Sequence, residues 1–154
     1  MAAPMEAEAV IPAAPKEVFD YLARLDHHWR LMDGSVEVLS LDGDGDGGPD
    51  RAVVRLHGPL GLGRMAHTRV LETERPKLLR GRASIGRRSD GGRVTEGEVT
   101  WELEPSENGG TRVHLSATVR SAGIGDRAIL ALGGAAWMRA RFRAALARLG
   151  DLVS

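Results

Sequence analysis

The chain ends in one long amphipathic stretch, residues 125–152, and this stretch limits the folds that are possible. Its apolar residues recur every three or four positions and form one stripe of a helix: Ala131, Ala135, Met138, Phe142, Ala145, Leu146, Leu149 and Leu152. Asp126 suits the helix start, where an oxygen acceptor and a negative charge are both favourable. Such a helix is roughly 40 Å long at about 1.5 Å per residue, enough to cross a small domain.

Most of the preceding chain alternates polar and apolar residues, which is typical of half-buried strands. The first strand is predicted over 5–11, and a short helix that begins at Pro15 and a helical turn over 29–32 follow it. Further strands are predicted over 35–41, 51–56, 65–74, 78–85, 94–104 and 112–120. Antiparallel strands with one apolar face need a cover, so we predict an α+β fold in which the long helix lies across the sheet.

Composition excludes several classes of protein. The 154 residues predict a single domain over 1–154, and 21 basic against 21 acidic residues argue against a nucleic-acid-binding protein. No cysteine is present, which excludes disulfides, thiolate metal sites and a cysteine nucleophile. The N-terminus has no basic start and carries Glu6 and Glu8, unlike a signal peptide, and no uncharged run approaches a membrane span. We expect a soluble cytoplasmic protein.

An acidic glycine-rich segment follows the second strand. Asp42, Asp44 and Asp46, followed by Gly47, match the first half of an EF-hand calcium loop. The bidentate glutamate that such a loop needs at its twelfth position is Val53 here. We therefore predict an acidic hairpin loop and no metal site.

The predicted order of strand, two short helices, six strands and long C-terminal helix resembles the helix-grip fold of the Bet v 1-like, START-related (SRPBCC) superfamily. Three segments carry the resemblance: IPAAPKEVFDYL at 11–22, the Trp29 segment that leads into Asp33-Gly34, and TRVLETERPKLL at 68–79. Similar stretches recur in the bacterial polyketide cyclase/dehydrase or lipid-transport branch. One departure is that no proline follows Trp29.

The resemblance implies a curved antiparallel sheet of about seven strands wrapped around the long helix. It also implies a cavity between sheet and helix that holds an apolar or amphipathic small molecule. It does not imply one reaction, because members of the superfamily include cyclases, carriers and sensors.

Strand alternation and helical spacing indicate which residues would line such a cavity. Small or pliable side chains that face a sheet leave room for a ligand. The predicted ligand-binding residues are Leu79, Ala83, Val99 and Trp101 on the strands, Ala131, Ala135, Met138 and Phe142 on the helix, and Trp29 near the mouth. In the alternative interpretation these side chains, Trp101, Met138 and Phe142 above all, simply fill a solid core.

The candidates for catalysis are His57, His67 and Arg69, on two strands that are predicted to pair. If they face the cavity, they could polarise a carbonyl or take a proton. The opposite strand phase turns them to solvent, and we favour it because unpaired buried charges are costly. In that phase the residues that face inward are Val54, Leu56, Ala66, Thr68 and Val70.

A basic cluster surrounds the predicted hairpin turn at Asp90-Gly91: Arg80, Arg82, Arg87, Arg88 and Arg93. It could bind an acidic partner, such as a carrier protein that delivers a substrate, or the phosphorylated head group of a ligand. Folding the hairpin about Asp90 sets Arg82 opposite Glu98, however, so a cross-strand charge ladder explains part of the cluster.

These observations predict a monomeric or homodimeric protein that binds an apolar small molecule, lipid or polyketide-like, as a carrier or sensor. No cofactor is indicated. The alternative is a polyketide cyclase/aromatase-like enzyme, and the phase of the strands that carry His57 and His67 discriminates between the two functions.

Overall fold

The fold is built on one seven-stranded antiparallel sheet. The computed structural model describes residues 5–31, 36–43, 51–57, 63–86, 95–121 and 135–153. In space the strands follow the order β1-β7-β6-β5-β4-β3-β2, so β1 and β2 are the two edges. The strands are β1 (Met5–Ile11), β2 (Val36–Asp42), β3 (Arg51–His57), β4 (Gly63–Glu74), β5 (Leu78–Gly86), β6 (Thr95–Pro105) and β7 (Thr111–Ser121).

Three α-helices complete the described architecture and confirm the predicted fold class. Two short ones, α1 (Pro15–Leu22) and α2 (Leu25–His28), lie between β1 and β2 and are followed by a 3₁₀ turn, Trp29–Leu31. The long helix α3 (Ala135–Val153) covers the sheet. The start of the predicted C-terminal helix, with Asp126 and Ala131, lies outside the described residues.

The main core lies between α3, α1 and the inner face of the sheet. On α3 the buried side chains are Phe142, Ala145, Leu146 and Leu149. They pack with α1 and with the inward residues of β1 and β7 in one cluster. The alternation of β1 is as predicted, because Met5, Ala7 and Ile11 are buried while Glu6 and Glu8 are exposed.

The predicted apolar stripe of α3 is wrong at its last member. Leu152 is 47% exposed, while Val153 is half-buried and packs against the core. At about 100° per residue, Val153 lies closer than Leu152 to the centre of the buried face that Phe142 and Leu149 define.

A buried hydrogen bond fixes the corner where β1 leads into α1. The Thr111 hydroxyl donates to the Ala13 carbonyl oxygen at 2.6 Å, and Thr111 is fully buried. Beside it, a Cβ on Gly110 would lie 2.9 Å from the Ile11 carbonyl oxygen, so only glycine fits without a shift of the backbone. This corner positions α1 at the end of the sheet.

On the outer face, the predicted pairing of Arg82 with Glu98 is confirmed. The two residues are direct cross-strand partners, and Arg82 donates to the Glu98 carboxylate at 3.1 Å. Arg120 reaches the same carboxylate at 2.9 Å. The Arg82 hydrogen bond and the positive charge of Arg120 hold the pKa of Glu98 below its ordinary value of 4.5, although partial burial acts in the opposite direction.

We expect Glu98→Gln to lower the free energy of unfolding at neutral pH and to matter much less in acid. Because the folded-state pKa is lowered, ionised Glu98 stabilises the fold above pH 4.5, and this contribution is lost as the pH falls through the folded-state pKa. Urea denaturation near pH 7 and near pH 2.5 measures the difference. Glu102→Gln, at an exposed position on the same face of β6, is the control. An equal loss at both pH values would contradict the ion-pair explanation.

Candidate ligand-binding cavity

A cavity of about 230 Å³ lies between the inner face of the sheet and α3. Its lining is almost wholly apolar and comes from β1, β3 to β7, α3 and the segment after α1. Along β6 the lining extends from Thr95 to Trp101, which corresponds to about 20 Å of strand at ~3.3 Å per residue. The cavity is therefore elongated and follows the curved sheet.

Small residues in the middle of the sheet create the space. Ala83 and Gly97 are direct partners across β5 and β6, and Gly81 lies two residues before Ala83. A Cβ on Gly81 would lie 3.1 Å from the Arg69 carbonyl oxygen, and one on Gly97 would lie 3.4 Å from the Thr118 carbonyl oxygen. Gly81 thus allows a close approach of neighbouring backbone, and both glycines leave out side-chain volume.

Two irregularities in strand pairing accompany these glycines. The β4–β5 register shifts between Val70 and Glu72, next to Gly81. The β6–β7 register shifts between Glu96 and Gly97. The extra residues are Leu71 on β4 and Arg120 on β7, and a bulge bends the strand that carries it and increases its twist.

The cavity separates the buried apolar residues into two clusters. The larger cluster joins α1, α3, β1 and β7 to Leu79 and Trp101. The smaller one consists of Ala52, Val54 and Ala66, with Val36 and Ile85 against it. Residues of both clusters line the cavity. In the described part of the chain Trp101, Met138 and Phe142 border this space, which argues against the solid-core interpretation.

The structure brings most of the predicted cavity residues together. Leu79, Ala83, Val99, Trp101, Met138 and Phe142 all line the cavity. Ala135 is half-buried and packs against the core, but it is not part of the lining. Ala131 and the side chain of Trp29 lie outside the described residues.

Sequence reasoning missed His28 as a cavity residue. Its ring meets the Trp101 ring edge-on at a centroid distance of 5.6 Å, and it borders the cavity. His28 Nε2 lies 2.5 Å from the Leu22 carbonyl oxygen at the end of α1, and donation to that oxygen orients the ring. Strand alternation carries no signal for this residue, because α2 brings it over the sheet from a distant part of the chain.

The candidates for catalysis do not face the cavity in the described part of the chain. His67 and Arg69 are exposed on the outer face of β4. Ala66, which precedes His67 on the same strand and faces the opposite side, is buried. Val54 is fully buried, so both strands adopt the phase that the sequence favoured. The side chain of His57 lies outside the described residues.

Part of the predicted basic cluster is internally neutralised. Arg80 forms an ion pair with Glu72 at 2.9 Å, and Arg82 pairs with Glu98. Both pairs belong to a cross-strand charge ladder, as one of the two interpretations predicted. Arg87, Arg88 and Arg93 lie outside the described residues.

Metal and membrane sites are not evident in the described ranges. Among these residues, no group of three or more histidine, aspartate or glutamate side chains is placed to hold a metal ion. None of the helices there combines the length and the apolar character that crossing a bilayer requires. The acidic segment beyond Gly43, which was considered as a calcium loop, lies outside these ranges.

A curved antiparallel sheet closed by a long C-terminal helix, with a cavity between them, defines the helix-grip fold of Bet v 1-like proteins. The family model described as "Polyketide cyclase / dehydrase and lipid transport" matches residues 2–154, so the chain belongs to this family. No curated protein sequence matches the chain significantly.

Solved structures confirm the fold across nearly the whole chain. A conserved protein from Geobacillus kaustophilus is 16% identical, with a TM-score of 0.69 over 98% of this chain and 95% of that one. A Thermus thermophilus protein is 22% identical, with a TM-score of 0.63 over 98% and 97%. The Bet v 1-type protein Ara h 8.0201 is 15% identical, with a TM-score of 0.56 over 96% and 97%. At these identities the similarity shows the fold alone.

We expect Ala83→Phe to fill the cavity and to weaken binding of the neutral dye phenylnaphthylamine by about tenfold or more. The new ring would lie over Gly97, where no side chain competes for the space. Fluorescence titration measures the affinity, and circular dichroism checks that the variant is folded.

Ser84→Phe is the matched control, because it adds the same ring to the adjacent position of β5 on the outer face. It should bind the dye like the parent protein. A folded Ala83→Phe variant with unchanged dye affinity would contradict this assignment of the cavity.

Proposed function

We propose that this protein binds an apolar or amphipathic small molecule, lipid or polyketide-like, in the cavity between the sheet and α3, as a carrier or sensor. The observation that carries the proposal is the apolar cavity itself, which divides the core into two clusters. Membership of a family described by both lipid transport and polyketide cyclisation supports the same ligand class.

Energetics support a ligand over an empty cavity. At about 24 cal/mol per Å³, an unfilled cavity of about 230 Å³ costs up to ~5.5 kcal/mol relative to a packed core. That is an upper value, because the cavity opens to solvent. It is nevertheless comparable with the whole stability of a small domain, about 5–15 kcal/mol. An apolar ligand would restore much of the lost contact with the lining.

The lining favours an elongated ligand with few polar groups. His28 lies beside Trp101 toward one end of the cavity, and Thr95 lies at the other end of the β6 segment. The residues between them that face inward from β6 are Gly97 and Val99, and both are apolar. A hydrocarbon chain or fused ring system that carries a hydrogen-bonding group at one end matches this arrangement.

Native mass spectrometry of the freshly purified protein tests the proposal. We expect an additional mass that corresponds to one bound apolar molecule, removed by organic extraction and absent from Ala83→Phe. If no mass co-purifies and phenylnaphthylamine shows no saturable binding, the proposal is contradicted.

We also expect ligand binding to change the fluorescence of Trp101. This indole is buried and borders the cavity, so a ligand alters its surroundings directly. Trp101→Phe should lose most of the ligand-induced change in emission. Trp137→Phe should retain it, because Trp137 packs under Arg141 at 5.1 Å and does not border the cavity. If Trp137→Phe lost the change in emission and Trp101→Phe retained it, the ligand would bind near Trp137 and not in the cavity.

The second candidate function is a polyketide cyclase/aromatase-like enzyme. Its support is His28, whose imidazole borders the cavity and is held in place by the Leu22 carbonyl oxygen. Imidazole is the commonest general acid or base near neutral pH, and it must come within hydrogen-bond reach of the substrate. Arg69, Arg80, Arg82 and Glu98 also border the cavity volume, but strand alternation turns their side chains to the outer face.

His28→Gln separates the two functions. Glutamine keeps a donor for the Leu22 carbonyl oxygen but removes the titratable group. For a carrier, we expect the extracted ligand to be recovered with unchanged mass and unchanged ultraviolet absorption after incubation with the parent or the variant, since ring closure alone conserves mass but changes the chromophore. A change in either property that the parent produces and His28→Gln abolishes would favour the enzyme.

A further inference from the structure

The outer face of the sheet carries a second pocket, of about 360 Å³, opposite the apolar cavity. Residues from β2 to β6 line it, and most of them are polar or charged, although Ala52 and Val53 also contribute. It does not depend on the proposed ligand cavity, because successive residues of a strand point to opposite faces. His67, which was considered for catalysis on the inner face, belongs to this outer pocket.

Three arginines form a single row across the floor of this pocket. Arg51 is the direct partner of Arg69, and Arg69 is the direct partner of Arg82. Directly opposed side chains in a sheet are about 5 Å apart, and like charges at that distance destabilise the pairing. A carboxylate lies at each end of the row, because Asp42 is the direct partner of Arg51 and Glu98 pairs with Arg82, and this leaves the positive charge at the centre of the row on Arg69.

Arg69 is the middle residue of the row and is exposed. Within the described ranges it forms no ion pair, whereas Arg55, Arg80, Arg82 and Arg112 on the same face each have a carboxylate partner. An anion bound above Arg69 would relieve the repulsion along the row and would receive two or three charge-assisted hydrogen bonds.

The neighbouring residues restrict which anion fits. His67 and Ser84 are direct partners in the next row and add hydrogen-bond donors beside Arg69. Asp42 and Glu96 lie at the β2 and β6 sides of the pocket. Their carboxylates would repel a second negative group but accept hydrogen bonds from hydroxyls. The arrangement selects one oxyanion that carries hydroxyl groups, rather than a polyanion.

We propose that this outer pocket binds a small phosphorylated polyol, with the phosphate on Arg69 between Arg51 and Arg82. The hydroxyl groups of the ligand bond to Asp42 or Glu96. The volume of the pocket is more than that of a bare phosphate, so the polyol contributes to affinity and to selectivity.

Isothermal titration of the whole protein with glycerol 3-phosphate tests the proposal, with inorganic phosphate and glycerol titrated separately. We expect saturable binding of glycerol 3-phosphate, weaker binding of phosphate and none of glycerol. Arg69→Gln should lower the affinity for glycerol 3-phosphate at least tenfold. Arg112→Gln, on the same face but paired with Glu8 far across the sheet, should leave it unchanged.

Several outcomes would overturn the proposal: no saturable binding of glycerol 3-phosphate at millimolar concentration, equal affinity in Arg69→Gln, or an equal loss in Arg112→Gln. Sedimentation with phosphatidylglycerol vesicles distinguishes the source of the phosphate group. Binding to vesicles without binding of the soluble ester would exclude a soluble ligand. Dye binding in the inner cavity should be the same in Arg69→Gln and the parent, which separates this test from that of the proposed function.

Discussion

The structure depends on how α3 is anchored to the sheet. Its second half packs Leu146 and Leu149 into the main core, and its contacts are mainly with β1, with the turn after α2 and with α1. Its first half, by contrast, presents Met138 and Phe142 to the cavity. A helix fixed at one end by buried leucines can span a space that it does not fill. This arrangement keeps the cavity open without loss of the fold.

The shape of the sheet is the second requirement for the cavity. A flat sheet would let α3 rest evenly on every strand, but bulges in β4 beside Gly81 and in β7 beside Gly97 bend these two strands and increase their twist. Gly81 also allows the Arg69 backbone to approach closely. Gly81 and Gly97 both lack a side chain, and this adds space in the middle of the inner face.

The alternation of side chains along the strands gives the two faces of the sheet different chemistry. On β4, Ala66 faces the apolar cavity, while His67 and Arg69 face the charged outer pocket. On β5, Ala83 faces the cavity and the preceding Arg82 faces the outer pocket. A shift of one residue in pairing would exchange the two sets and bury the arginines. Because burying these charges is costly, the register of the strands is strongly specified. The Glu98 ion pairs with Arg82 and Arg120 stabilise that register from the outside.

Local patterns determined the elements, because alternation and helical spacing depend on near neighbours in the chain. They were sufficient for the seven strands, for the pairing of Arg82 with Glu98 and for the inward position of Trp101. Only the tertiary structure decided that His28 reaches Trp101 and that Ala135 stays outside the lining. These outcomes depend on where α2 and α3 lie over a curved sheet. That placement is set by packing between residues far apart in the sequence, which no local period encodes.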